Sequence, residues 1–401
     1  MSTAIKQDIH KDNPTEETLV ERAKAFVPML RERAAEIEKN RAVPADIIAA
    51  FREAGFFRIL QPARWGGYEM NPSVFYKVLM ELGRGCSSSA WNAMILGVHT
   101  WEFGLLDSRA CEDVWGKDDS VIVASSYPPV GTYRRVDGGY IVSGRWPTSS
   151  GTDHGQWAFL GMTLKAEDGT PNDRIAMLVP RSDYKIIDDW HVFGLAGTGS
   201  KSVEVKDAFV PEYRAHSTVD YRMSDRGDMY LYSFQQVFYS AVSSSIIGMA
   251  QGAVDEFIRQ MRTRVNSSNG VRAALSPYVK DRLGNAQARV RSSRARILHI
   301  AQETTRYVES RQLVPLSERV AINLDIARVG RECEEAVMLL FKATSARGIY
   351  LDNPLQRTLR DVIAASNHIT QNADDTAGIL GGYLLGEPLP PMLFSRDPSP
   401  Q

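Results

Sequence analysis

Two histidines stand where a proton could be moved. His99 lies in an apolar helical stretch between Val98 and Thr100, eight residues after Trp91. His368 lies in Ser366-Asn367-His368-Ile369-Thr370, which reads as part of the last helix. A buried imidazole can be a satisfied core group, or it can exchange a proton near neutral pH. Periodicity alone leaves both meanings open for each. His154, His191, His216 and His299 have no partner that sequence can name and read as structural or exposed. His10 falls in an N-terminal tail that reads as disordered.

Hydroxyl groups gather at two strand ends. One segment is Ala124-Ser125-Ser126-Tyr127-Pro128-Pro129, and the other is Gly144-Arg-Trp146-Pro-Thr148-Ser149-Ser150-Gly151. Ser and Thr donate or accept as required, so they can tie down a strand end or orient a planar heterocycle. Gly194-Leu-Ala-Gly197-Thr198-Gly199-Ser200 could turn successive backbone N–H groups toward a phosphate or a ring edge. Taken alone it reads as a tight turn between strands. Six of the seven tryptophans fall between Trp91 and Trp190, which suits either a ligand pocket or an aromatic core. No Gly-x-Gly-x-x-Gly follows a strand, and neither a phosphate loop nor His-Glu-x-x-His occurs. Cys86, Cys111 and Cys333 are too sparse for a disulfide framework or a thiolate metal site and read as buried small hydrophobes. No metal is expected.

The elements that must position these groups fall into three parts. Residues 1–120 read helical: Leu19, Ala23, Phe26, Leu30, Ala34 and Ile37 recur every three or four residues. A second helix ends at Gly55, and Asn71-Pro72-Ser73 opens another. Residues 121–228 read as short strands. Asp137-Gly138-Gly139 marks a hairpin, and Trp157, Ile175, Tyr184 and Ser202 begin further strand candidates, a pattern of barrels and sandwiches. Residues 229–401 return to helix, with long runs over 283–307 and 321–346 and another over 359–373. A chain of 401 residues fits roughly two or three domains, at about 150 residues each. Lys plus Arg number 47 against 48 Asp plus Glu, so the net charge is -1 and no basic stripe invites nucleic acid. No run of 18 apolar residues and no apolar leader occur, so neither a membrane span nor a signal peptide is expected and a cytoplasmic location is.

Taken together, Trp65-Gly-Gly, Trp91…Gly97-Val-His99-x-Trp101, Ser125-Ser-Tyr-x-Pro, Asp137-Gly-Gly-Tyr, Trp146…Ser149-Ser-Gly-x-Asp-His154 and Gly194-Leu-x-Gly-Thr-Gly-Ser200 resemble the two-component, flavin-dependent aromatic monooxygenases of the acyl-CoA dehydrogenase fold. The resemblance runs from about residue 15 to 395 and is nearest to oxygenases that hydroxylate phenols such as the seco-steroid A-ring and p-hydroxyphenylacetate. It implies an α+β fold with an N-terminal helical domain, a central β-barrel and a C-terminal four-helix bundle, assembled as a homotetramer. It implies reduced FMN or reduced FAD delivered by a separate NAD(P)H:flavin reductase, with O2 as co-substrate. The implied reaction is hydroxylation ortho to the phenol through a flavin C4a-hydroperoxide. In that family His99 matches the histidine near flavin and phenol, and His368 the C-terminal active-site histidine. Ser125, with Ser126 beside it, matches the strand-end serine near the flavin. Ser149 or Ser150 matches the hydroxyl near flavin N5, Trp91 the pocket tryptophan, and Thr198 and Ser200 the flavin-side loop. Arg262 or Arg264 matches an arginine that meets flavin phosphate. Pro147-Thr148 replaces a more aromatic pair, and the stretch from Arg222 to Gly227 is more charged than in the seco-steroid enzymes. His368-Ile-Thr stands where acyl-CoA dehydrogenases carry a Glu-Gly-Thr ending, which argues against dehydrogenation. N-, S- or indole oxygenation on the same fold is the alternative chemistry.

Overall fold

The computed structural model describes residues 13–166, 168–219, 227–265 and 270–390; His10 and most of the charged stretch from Arg222 lie outside them. Helix α1 (Glu16–Asn40) begins where the Thr15 hydroxyl accepts from the Thr18 N–H and buries the stripe Leu19, Ala23, Leu30, Ala34 and Ile37. Phe26 is only partly buried and sets its ring edge on Phe51, 5.3 Å away in α2 (Ala45–Glu53). Gly55, at φ +85°, ends that second helix in the left-handed conformation a side chain would resist. Helix α3 (Pro72–Gly83) is capped by Asn71, and α4 (Ser87–Glu102) follows. Every one of the 16 residues of α4 is buried, so its polar residues have only protein to face. Helix α5 (Ser108–Trp115) closes the first helical part.

Eight strands come next among the described residues: β1 (Val123–Ser126), β2 (Thr132–Val136), β3 (Gly139–Ser149), β4 (Trp157–Lys165), β5 (Pro171–Pro180), β6 (Tyr184–Ile187), β7 (Lys201–Pro211) and β8 (Ala215–Ser217). One sheet has the order β1-β4-β5-β8, the other β2-β3-β7-β6. The expected hairpin forms across Asp137 and Gly138, pairing Val136 with Gly139. Alternation along the strands divides two cores. Leu160, Met162, Ile175, Met177 and Val179 of the first sheet meet Val142, Trp146, Val203 and Val205 of the second. Phe159, Ala176 and Leu178 point the other way, onto Cys111, Val114 and Trp115 of α5. The expected β-barrel is therefore not closed: the described strands form two facing sheets. Their edge strands β1, β2, β6 and β8 have only 4, 5, 4 and 3 residues, too short to carry pairing from one sheet to the other.

The last part holds α6 (Phe234–Thr263), α7 (Pro277–Glu309), α8 (Leu316–Lys342), α9 (Pro354–Ser366) and α10 (Ala373–Leu384). Helix α6 starts in a capping box of Ser233 and Gln236 and packs against α3, α4, α7, α8 and α9. It is apolar and long enough to cross a bilayer, yet 83% of that apolar stretch is buried inside the protein, as a core helix requires. Its closest approach is to α3, where a Cβ built on Gly248 would stand 2.6 Å from the Met80 carbonyl oxygen. One apolar core runs through both helical parts, from Leu19 to Ala365. The long runs expected over 283–307 and 321–346 lie in α7 and α8, though α8 ends four residues early at Lys342. The helix expected over 359–373 is corrected: it stops at Ser366, so His368 is not helical. His368 takes φ -63° and ψ 142°, its imidazole accepts from the Thr370 N–H to cap the turn Ile369–Gln371, and Asn372 then caps α10. Local side-chain acceptors at 368 and 372 compete with helix continuation and win.

Candidate active site

Helix α4 presents Trp91 at one end and His99 two turns on, roughly 12 Å along the axis at 1.5 Å per residue. Phe238 of α6 connects the two ends. Its ring lies 5.7 Å from His99 and 6.0 Å from His368, while His368 meets Trp91 edge-on at 5.6 Å. Phe234, one turn earlier on α6, stacks on Phe238 at 5.6 Å, and Tyr127 lies 5.5 Å from Phe234 and from His99. Trp91, His99, Tyr127, Phe234, Phe238 and His368 thus form one aromatic cluster where α4, α6 and the α9–α10 break meet the end of β1. Burial lowers the His368 imidazole to about 4, so it is neutral at pH 7 and can donate from one nitrogen while accepting at the other.

A chain of hydroxyls starts at Trp91. The indole Nε1–H donates to Ser150 Oγ at 3.1 Å, Ser150 and Ser200 lie 2.7 Å apart, Ser200 and Thr198 2.6 Å, and Thr198 donates to the Leu195 carbonyl at 2.7 Å. An indole can only donate and a carbonyl can only accept, so the ends fix the direction of every bond between them. Ser150 therefore gives its hydrogen to Ser200 and keeps a lone pair free. A bulge puts it there: the β3–β7 register shifts between Trp146 and Ser149, and Thr148 sits at φ +58°. The neighbouring Ser149 Oγ is buried and has no hydrogen-bond partner among the described residues. The turn carrying Thr198 is itself held from α9. Asp361 accepts the Leu195 N–H at 2.7 Å, and Leu195 is left-handed at φ +56°. Burial pushes the Asp361 carboxyl up to about 6, against the pull of the Leu195 N–H and the Ser87 side chain.

The His99 end is ionic. His99 Nδ1 lies 2.8 Å from Glu102 Oε2, and the Tyr127 hydroxyl donates to the same oxygen at 2.5 Å. His216 Nε2, arriving on β8, lies 2.6 Å from Glu102 Oε1. Desolvation pushes the Glu102 carboxyl up, but the charge and hydrogen bond of His216 and the bond from His99 outweigh it and hold Glu102 down at about 2. Burial and the adjacent carboxylate hold the Tyr127 phenol well above its ordinary value, so it stays a donor. The far nitrogen of His99, Nε2, is buried without a hydrogen-bond partner among the described residues.

Of the residues singled out in the sequence, Trp91, Ser150, Thr198, Ser200, His99 and His368 are brought together. Ser125 lies on β1 two residues from Val123, on the sheet face that also carries Phe159, and Phe159 lies 6.0 Å from His99. Ser126 faces elsewhere and donates to the Pro147 carbonyl. Arg262 and Arg264 are not brought to the cluster within one chain. Arg262 lies about 36 Å along α6 from Phe238, at 1.5 Å per residue. Arg264 is spent on the Thr344 carbonyl at 2.8 Å and the Ser345 hydroxyl at 2.5 Å. Sequence reasoning missed Glu102, His216, Phe238 and Asp361. Glu102 had a signal, a lone carboxylate three residues after His99 on an otherwise uncharged helix. His216 had none, because its partner is 114 residues away.

Ser149 Oγ and His99 Nε2 without partners among the described residues, and the free lone pair of Ser150, are a few fixed polar atoms beside a mostly apolar aromatic cluster. That donor set suits a planar heterocycle with one polar edge, as a flavin ring has. The class of protein follows from family models: residues 13–105 match the acyl-CoA dehydrogenase N-terminal domain and residues 240–373 the acyl-CoA dehydrogenase C-terminal domain. Over 379 residues, 92% of this chain and 99% of the relative, it is 36% identical to the flavin-dependent monooxygenase oxygenase subunit HsaA of Rhodococcus jostii RHA1. It is 29% identical to the p-hydroxyphenylacetate 3-hydroxylase oxygenase component of Acinetobacter baumannii, covering 94% of this chain and 91% of that one. The crystal structure of 3-HSA hydroxylase from Rhodococcus sp. RHA1 superposes with a TM-score of 0.88 at 34% identity, over 94% of this chain and 98% of that one. The chain belongs to the flavin-dependent monooxygenase oxygenase subunits built on the acyl-CoA dehydrogenase fold.

Proposed function

We propose that this chain is the oxygenase component of a two-component system that uses reduced FMN or FAD and O2 to hydroxylate a phenolic ring ortho to its hydroxyl. The observation that carries the reading is a buried His99 whose Nε2 has no partner among the described residues, in the aromatic cluster that also holds Trp91, where the hydroxyl chain starts. Full-length likeness to an oxygenase subunit and to a hydroxyphenylacetate hydroxylase supports the substrate class. Reduced flavin, when bound, activates O2 for transfer to the ring. Ser150 would meet the polar edge of the flavin with its lone pair, assisted by Ser149, while Thr198, Ser200 and Trp91 hold Ser150 in place. Ser125 would border the same ring from the end of β1, while Ser126, turned to the Pro147 carbonyl, would hold the strand end. The apolar walls of Trp91, Phe234 and Phe238 keep water from the reacting atoms. His99 Nε2 accepts the phenolic proton, which makes the ortho carbon nucleophilic. Neutral His368, opposite Phe238, orients substrate and oxygen.

The sequence carries no nicotinamide fingerprint, so a separate reductase supplies the reduced flavin. The same reading divides the chain at 1–120, 121–228 and 229–401, with α6, α7, α8 and α9 as the four-helix unit of a cytoplasmic homotetramer. Arg262 or Arg264 would meet a flavin phosphate across a subunit boundary, a reading supported by the separation of about 36 Å along α6 between Arg262 and Phe238 within one chain. The test is a panel of phenols, indoles and thioethers given chemically reduced FMN or FAD in air, with products weighed by mass spectrometry. Addition of one oxygen ortho to a phenol hydroxyl is expected; oxygenation only at nitrogen or sulfur would replace this reading.

A further inference from the structure

We propose that Glu102 is the positioning residue of the reaction, holding His99, together with His216 and Tyr127, as the Nδ1–H tautomer so that Nε2 is the base for the substrate's hydroxyl proton. The proposal rests on the phenolic reading above for its substrate, but not for its geometry. The Nδ1 of His216 lies 2.9 Å from the Ser217 carbonyl, which can only accept, so that Nδ1 carries a hydrogen. Its Nε2 then faces Glu102 Oε1 at 2.6 Å. With Glu102 ionised, Nε2 also carries a hydrogen, and His216 is the imidazolium that neutralises the carboxylate. The other oxygen, Oε2, receives the Tyr127 hydroxyl and faces His99 Nδ1 at 2.8 Å. A carboxylate has no hydrogen to give, so Nδ1 of His99 must be the donor. In neutral imidazole that leaves the lone pair on Nε2, the nitrogen with no partner among the described residues.

The arrangement is also rigid. Phe159 lies 6.0 Å from the His99 ring and 5.9 Å from His216, wedged against both. Glu102 and His99 share one turn of α4, His216 comes from β8 and Tyr127 follows β1, so three elements converge on one carboxylate. In the proposed resting state His216 balances Glu102, and His99 keeps the lone pair on Nε2. When the phenolic O–H bond breaks, the Nε2–H bond forms; no electrons change hands, and the products are a phenolate and the His99 imidazolium. The Nδ1–H···Oε2 bond then becomes ionic at both ends and strengthens. Glu102 touches neither substrate nor flavin in this scheme and acts only through His99.

The test reads the tautomer directly. Flavin-free protein labelled with [15N]histidine is examined by solid-state NMR, the His99 signals being assigned by their loss in His99→Gln. The expected result is a protonated Nδ1 and an unprotonated Nε2 in the parent, and loss of that single tautomer in Glu102→Gln. A protonated Nε2 in the parent overturns the proposal, whether or not Glu102→Gln folds. Oxygenation supplies a second readout. Glu102→Gln should lower kcat for a weakly acidic phenol by about 10²–10⁴-fold, with KM little changed, and by less than about tenfold for a nitrophenol that arrives ionised. Equal losses on both phenols would mean a merely structural role and would overturn the proposal. If no phenol is oxygenated while the NMR result holds, the substrate reading fails and the positioning role of Glu102 stands.

Discussion

Replacing Ser150 with Ala tests whether the hydroxyl chain is a coupled unit. The substitution removes one oxygen and leaves the Trp91 indole N–H, 3.1 Å from where that oxygen stood, facing a methyl group in a buried site. A stranded buried donor costs about 1–3 kcal/mol. Ser200 also loses its partner at 2.7 Å, but it keeps Thr198 at 2.6 Å, so its share should be small. Trp91→Phe removes the donor instead and leaves Ser150 with Ser200, at the expense of some ring packing against His368. In the double variant no N–H is left stranded, so the two losses should fall short of additivity by about 1–2 kcal/mol. The assay is a double-mutant cycle from reversible urea transitions at one fixed protein concentration. Flavin titration of the same proteins adds a second reading. In the proposed reading the free lone pair of Ser150 meets flavin N5, which carries a hydrogen only when reduced. Ser150→Ala should therefore weaken reduced flavin more than oxidised flavin. Stability losses additive to within about 0.3–0.5 kcal/mol would show that the four groups do not act as a chain.

Asp361→Asn should keep an acceptor for the Leu195 N–H while removing a buried ionisation. With its carboxyl raised to about 6 when folded, against about 3.9 unfolded, Asp361 contributes fully below pH 4 and loses that contribution as pH rises through 6. The stability of the parent relative to the variant should accordingly fall by on the order of 3 kcal/mol between pH 4 and pH 7, measured as urea midpoints across that range. Gly248→Ala would drive a Cβ to within 2.6 Å of the Met80 carbonyl oxygen and 3.0 Å of Gly83 Cα, backbone atoms that cannot swing aside. A loss of about 1–3 kcal/mol or more is expected in the same transitions. His368→Ala should leave flavin binding in place and raise the hydrogen peroxide released per flavin oxidised, assayed with and without catalase.

The parts of the site that sequence displayed are those written in short segments. The Asp137-Gly138 turn, the strand starts at Trp157 and Tyr184, the strands through Ile175 and Ser202, which begin earlier at Pro171 and Lys201, and the stripe of α1 follow from local chemistry that neighbours obey. Trp91, Ser150, Thr198 and Ser200 were legible only through likeness to a family, since nothing local says that residues 59 and 50 positions apart will share hydrogen bonds. His216 read as a bland histidine because its meaning is supplied by Glu102 across the fold. The helix expected through His368 failed for a local reason, because apolar spacing on both sides concealed two capping residues at 368 and 372. The two open sheets differ from the expected barrel because strand pattern gives faces and turns, while closure depends on the length and pairing of edge strands.

The most direct test of the account follows the oxygen atom. Protein, reduced flavin and a simple phenol are mixed without air, then exposed to 18O2, and the product is weighed and its ring position assigned. One 18O atom in an ortho-dihydroxylated product, formed without NADH or any reductase in the mixture, is the expected result. Recovery of unchanged phenol with all the oxygen found as labelled hydrogen peroxide, across the phenol panel and with both FMN and FAD, would contradict it.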